Sequence, residues 1–179
     1  MTGAEYRVMK STNIALSALM LTMVAGSVQA TTAATLTINV SVNQPSCDIT
    51  MPSSYNLGTL TPGGTKEHGD FNITWTCQGN TPVKTALTAG IVSGTADGDS
   101  KVRMMSGGQP TGAALSLREK GMTQPIKLTG SGAKDYFCSD ANAVAGVQRI
   151  CTLTPVTEVS RTGPFGLASA TLRFEVGYP

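Results

Sequence analysis

The stretch Ala168-Ser169-Ala170-Thr171-Leu172-Arg173-Phe174-Glu175-Val176-Gly177-Tyr178-Pro179 decides how the rest of the chain is read. Ala170, Leu172, Phe174, Val176 and Tyr178 alternate with Thr171, Arg173, Glu175 and Gly177. Successive side chains of a strand point to opposite faces, so this alternation predicts a β-strand with one apolar face. On this reading no further strand follows Pro179. Outward from it, the same period recurs at Phe71, Ile73, Trp75 and Cys77, and again at Leu36, Ile38, Val40 and Val42. Shorter extended runs are expected at residues 47–50, 57–60, 83–92, 102–105, 114–117, 126–128 and 150–156. Turn chemistry separates them: Pro45-Ser46, Pro62-Gly63-Gly64, Asp97-Gly98 and Gly107-Gly108-Gln109-Pro110. Beyond the N-terminal segment the one candidate for a helical turn is residues 142–147. Strands about every ten residues, with turns between, predict a β-sandwich.

Composition agrees. Of 179 residues, 40% are hydrophobic and only 13% charged, with 20 Gly and nine Pro. Soluble domains carry about 25% charged residues. A formal net charge of +2 argues against nucleic acid as a partner, which demands a basic face. It argues equally against a charged coiled coil or an acidic disordered tail.

Residues 1–30 read as a secretory signal peptide. Arg7 and Lys10 supply the positive start, residues 14–25 a mostly apolar core, and Ser27-Val28-Gln29-Ala30 a cleavage site flanked by small residues. The apolar run falls short of the ~20 residues of a membrane span. Met9-Lys10 ahead of the same run is an equally complete start, so Met1 and Met9 both stand as initiators. No cysteine stands directly after the cleavage site, which argues against a lipoprotein. Export makes the four cysteines, Cys47, Cys77, Cys138 and Cys151, a disulfide framework. Of three connectivities, sequence order favours Cys47–Cys77 and Cys138–Cys151, each closing a short loop worth roughly 3–4 kcal/mol. A zinc site is disfavoured, because no C-x-x-C occurs and His68 is the sole histidine.

Catalytic chemistry finds no constellation. A serine or cysteine nucleophile needs a base, and His68 sits alone in a Gly-rich stretch, read here as a solvated loop histidine. Asp97 and Asp99 flank Gly98 and read as turn formers. They fall short of the six to eight oxygens calcium takes. No phosphate loop or dinucleotide fingerprint is present. Trp75 alternates with Phe71 and Ile73 and reads as core. The chain is therefore expected not to be an enzyme and to need no cofactor.

Both ends of the exported chain resemble known proteins. Thr35-Leu36-Thr37-Ile38-Asn39-Val40-Ser41-Val42-Asn43-Gln44-Pro45-Ser46-Cys47 resembles the N-terminal extension and first cysteine of chaperone–usher pilus subunits, as in type 1 and P pili. Residues 166–179 resemble their final strand, with its penultimate tyrosine. Leu57-Gly58-Thr59-Leu60 and the Phe71–Cys77 stretch occur in the matching order. The resemblance implies an all-β, immunoglobulin-like sandwich lacking its last strand and completed by donor-strand complementation. A periplasmic chaperone lends the strand first; at the outer-membrane usher the extension of the next pilin subunit replaces it. This is β-augmentation, in which backbone bonds give pairing and alternate side chains fill pockets.

The resemblance divides the chain into a signal peptide (1–30), a donor-strand extension (31–46) and a pilin domain (47–179). Leu36, Ile38, Val40 and Val42 become the donor side chains, worth roughly 6–12 kcal/mol together at ~1.5–3 kcal/mol each. Ala170, Leu172, Phe174, Val176 and Tyr178 line the acceptor groove, and the Pro179 carboxylate meets the chaperone. An apolar alternating strand right after a cleavage site is an edge that ordinary proteins avoid, which favours a donor strand over an ordinary first strand. Val40 stands where family donor strands usually carry glycine, which leaves the register open. The Cys138/Cys151 pair is extra to the common single disulfide and hints at a specialised subunit. The implied function is a structural subunit of a surface fimbrium that supports cell adhesion. The alternative is an adhesive minor or tip subunit binding a host receptor or glycan.

Overall fold

Strands dominate the computed structural model, which describes residues 37, 39, 45–79, 82–140 and 144–179. The signal-peptide segment and the donor residues Leu36, Ile38, Val40 and Val42 lie outside the described residues. Two compact units are distinguished, residues 1–41 and 42–179; every strand named below belongs to the second.

The strands are β1 (Cys47–Thr50), β2 (Thr65–Glu67), β3 (Phe71–Cys77), β4 (Thr85–Ser93), β5 (Thr95–Ala96), β6 (Lys101–Ser106), β7 (Gln109–Glu119), β8 (Phe137–Asp140), β9 (Arg149–Val159) and β10 (Thr171–Gly177). One sheet runs β1-β3-β9-β7-β6-β5, with β2 paired to β9 beyond the end of β3. The other is β10-β4-β8. Every pairing within them is antiparallel. Period-two side chains from both sheets meet in one core: Ile73, Trp75, Leu87, Val102, Leu117, Phe137 and Leu153 are all buried. Trp75 is core, and its indole Nε1 donates to Thr85 Oγ1 at 3.0 Å, which satisfies the polar atom of each side chain.

The two disulfides reinforce this frame differently. Cys47 and Cys77 face each other across the β1–β3 ladder. Cys138 on β8 and Cys151 on β9 join one sheet to the other. Between β6 and β7, Gly107 and Gly108 both have positive φ, 55° and 81°. Two such residues make the tight hairpin turn whose twist suits antiparallel strands. Gln109 and Pro110, expected in that turn, already belong to β7.

Three expected elements differ. Residues 57–60 form no strand; the backbone joins no ladder there. Residues 126–128 are not a strand either, although Ile126 and Leu128 are buried. Their amides diverge, Ile126 N donating to Leu117 O and Leu128 N to Asp99 O, so no single neighbour can build a ladder with them. In the 142–147 stretch, residues 142 and 143 lie outside the described residues, and Ala145-Gly146 is a turn. His68 is not a solvated loop residue: it is half-buried, with Nε2 2.8 Å from Thr157 Oγ1. Strands β2, β5 and β8 were not expected from the pattern.

Candidate functional site

Strand β10 pairs with β4 from Leu172↔Ile91 to Gly177↔Ala86. Among the described residues no strand pairs with its other edge. Just before β10 the chain belongs to the opposite sheet. Met105 N donates to Ser169 O at 2.8 Å and Ser169 N to Met105 O at 2.9 Å, so residues 168–170 are tied to β6. The register of β10 on β4 then shifts between Thr171 and Leu172. This crossing pins the two sheets together at one end and leaves a groove between them along β10.

The groove encloses about 930 Å³. One wall is Ala170, Leu172 and Phe174; the floor includes Leu115 and Leu117 of β7; the facing wall is the unpaired stretch 51–60 together with Phe71. Tyr55 holds that wall in place, its hydroxyl donating to Gly69 O at 2.7 Å and its ring 5.6 Å from Phe71. Phe174 packs edge-on against Phe137 at 6.4 Å, yet it, Leu172 and Val176 remain only half-buried. At one end Phe165 and Leu167 are exposed, 62% and 94%. Leu57 and Leu60, expected in a strand, instead line this groove.

The expected groove residues do not all share one place. Ala170, Leu172 and Phe174 line the cavity. Val176 packs on the core. Tyr178 turns to the start of β1, where its hydroxyl donates to Pro45 O and lies 3.3 Å from Cys47 Sγ. Pro179 is exposed. The far wall, Met51, Tyr55 and Phe71, was not singled out from the sequence as part of a groove, although Tyr55 and Leu57 already show the period-two spacing.

What the groove offers chemically is an apolar trough beside a row of unpaired backbone amides and carbonyls. Those two features together suit an extended segment with apolar side chains on one face. Titratable groups with displaced pKa values lie elsewhere. Thr154 and then Lys120 hold the Asp70 carboxyl below its ordinary value, and Thr129 does the same for Asp135. Burial, then the Lys66 charge, lowers the pKa of His68. Among the described residues no group of three or more His, Cys, Asp or Glu is placed to hold a metal ion, and no helix is long and apolar enough to cross a membrane.

No family model matches the chain, and no curated protein matches it in sequence. Solved structures do. One, from a chaperone-usher pilus studied for the molecular basis of rod uncoiling, is 18% identical, covers 83% of this chain and 97% of its own, and gives a TM-score of 0.53. Another, the P pilus rod subunit PapA, is 19% identical over 74% of this chain and 99% of its own, with a TM-score of 0.54. The chain therefore has the all-β, immunoglobulin-like fold of pilus rod subunits.

Proposed function

We propose that this chain is a structural, non-enzymatic subunit of a bacterial surface fimbrium, exported through the periplasm and polymerised by donor-strand exchange in support of cell adhesion. The observation that carries this reading is the free edge of β10 beside an apolar groove. An exposed apolar edge is an aggregation hazard that stable monomers blunt or cover, so a sheet that ends here calls for a partner strand. Residues 36–42 of a second copy are that strand, with Leu36, Ile38, Val40 and Val42 facing the groove. A periplasmic chaperone occupies it first, and an outer-membrane usher directs the replacement. The fold likeness to rod subunits supports the same reading.

The test removes the extension. A chain beginning at residue 43 should be unstable or aggregate, and a peptide spanning residues 35–42 should raise its melting temperature by mass action, about 2.7 kcal/mol at a hundredfold excess over Kd. A stable monomer indifferent to the peptide overturns the reading. The full exported chain should leave the periplasm bound one-to-one to a chaperone.

A further inference from the structure

Two uncharged apolar patches lie at opposite ends of β10. The first is at its start. Residues 160–169 lead from β9 to β10, and both ends of this crossing are fixed: Ser160 N donates to Gly112 O at 2.8 Å, and Ser169 exchanges backbone bonds with Met105. Gly163 packs so closely on Gly112 that a Cβ there would meet its backbone at 3.2 Å. Phe165 and Leu167 stand between these anchors, exposed at the mouth of the groove. The second patch surrounds the root of the N-terminal arm. Tyr178, just past β10, donates to Pro45 O. Gly146 N donates at 2.9 Å to the carbonyl of Cys77, which lies opposite Cys47. Val144 and Val147 flank that amide and are 55% and 54% exposed. Arg149, itself buried, holds their loop through Nη2 on Val144 O at 3.2 Å. Neither residues 164–168 nor residues 144–148 carry a charge.

Chain connectivity decides what covers them. The C-terminal end of β10 is taken by the subunit's own Pro45, while its start opens to solvent. Among the described residues every ladder is antiparallel, the pairing that is more stable per residue. A donor strand antiparallel to β10 brings its Val42 out at the β10 start, beside Phe165 and Leu167. Five residues lead from Val42 to Cys47, a reach of at most about 18 Å. The donor's Cys47 end, with Val144 and Val147 around it, is thereby tethered at the mouth of the acceptor's groove. We propose, resting on the donor-strand reading above, that Phe165 and Leu167 of one subunit dock against Val144 and Val147 of the copy whose arm fills its groove. The contact is heterologous: two different patches at opposite ends repeat head to tail without closing, as a fibre requires. The tether raises the effective concentration of one patch at the other, so a small contact adds to the hold of the strand. Both loops are already pinned, so little ordering is lost on docking.

Fibres assembled from the full chain test this with introduced cysteines, the four native ones being bridged. Leu167→Cys and Val147→Cys in the same chain, treated with a short bismaleimide, should give a ladder of covalent dimers, trimers and longer oligomers on a denaturing gel. Either substitution alone should leave monomers, because a head-to-tail contact never sets a position against itself. In a second arm, Phe165→Ser with Leu167→Ser should leave the melting temperature of the subunit as isolated unchanged, since both side chains are exposed. The same pair should speed dissociation of fibres in urea about tenfold or more, as expected when at least one apolar side chain is no longer buried. Adding Val144→Ser and Val147→Ser should bring little further loss, because the contact they share is already gone. Fibres that yield only monomers from the cysteine pair, dimers from either single cysteine, or native dissociation rates in the serine variants overturn the docking contact and leave the donor strand standing. A chain that forms no fibre at all removes both.

Discussion

Strands β9 and β10 are both written in apolar–polar alternation, yet they end up in different surroundings. On one edge β9 meets β2 and β3, and on the other β7; Cys151 and Leu153 are 1% and 0% exposed. On β10 only the β4 edge is paired among the described residues, and Leu172, Phe174 and Val176 stay half-buried. Their side chains are as apolar as those of β9. The difference is one neighbour. Half-burial along β10 is therefore a property of the sheet's open edge, and a strand laid beside it should give β10 the burial that β9 already has.

The sharpest way to break that contrast is to spoil the strand proposed to fill the gap. Ile38→Asp or Val40→Asp would place a carboxylate in an apolar groove, at a cost of several kcal/mol set against the roughly 6–12 kcal/mol the donor side chains offer. The subunit should still fold on its chaperone and fail to join the preceding one. Asn39→Asp and Ser41→Asp, on the other face, should leave fibres nearly intact. Surface fibres counted by electron microscopy separate the two faces; equal loss from both would return residues 36–42 to the role of an ordinary first strand.

A second comparison pairs Leu153→Ala with Phe174→Ala. Leu153 is fully buried, so its truncation should cost about 2–5 kcal/mol whether or not the groove is filled. Phe174→Ala should cost about 1 kcal/mol with the groove empty and approach about 3–5 kcal/mol once the residue 35–42 peptide is bound. Urea unfolding with and without peptide measures both. A Phe174 cost that ignores the peptide would mean that the filler lies elsewhere.

Smaller effects are expected at the margins of the two strands. Tyr178→Phe removes the hydrogen bond to Pro45 O and should cost about 0.5–1.5 kcal/mol, read as a shift in urea midpoint. Beside β9, His68 meets Thr157, and its pKa is lowered by burial and then by Lys66. Its neutral form is favoured in the folded state, so the unfolded chain binds the proton more readily. That contribution is present above the ordinary histidine value of 6.5 and is lost as pH falls through the lowered one. His68→Gln should flatten the fall in unfolding midpoint between about pH 7 and pH 5.

Period two made β3 and β10 legible, because each sets one apolar face against a common core; β4 and β9 were read only as extended runs, and β4 begins buried on both faces. Extended apolar runs misled at residues 57–60 and 126–128. There the side chains are apolar for the same reason as in a strand, but the backbone finds no continuous partner, and alternation speaks only of side chains. Strand β8 escaped notice because Phe137-Cys138-Ser139-Asp140 is too short to show a period, and Cys138 has a positive φ of 48°. The last strand was legible as an apolar face, but that Tyr178 turns from the groove to Pro45 depends on where two distant ends of the chain meet. The burial of Arg149 was invisible, since a lone arginine at the start of a strand reads as surface until Trp75 is placed opposite it.

The contacts at Pro45 and Cys47 also describe how the domain would take a mechanical pull. Tension drawn through the residues before Pro45 reaches the domain at the first residue of β1. Peeling a strand from its neighbour breaks ladder bonds one at a time from the pulled end. Here that end is the Cys47↔Cys77 pair, closed by a covalent bond, so the load crosses to β3 through the disulfide, and the remaining β1 pairs, inside the closed loop, are bypassed rather than unzipped. The Tyr178 hydroxyl on Pro45 O passes part of the same force to the end of β10. A tug on the N-terminal arm thus meets first the hydrogen bond at Pro45 and, two residues on, a covalent bond that thermal force does not break.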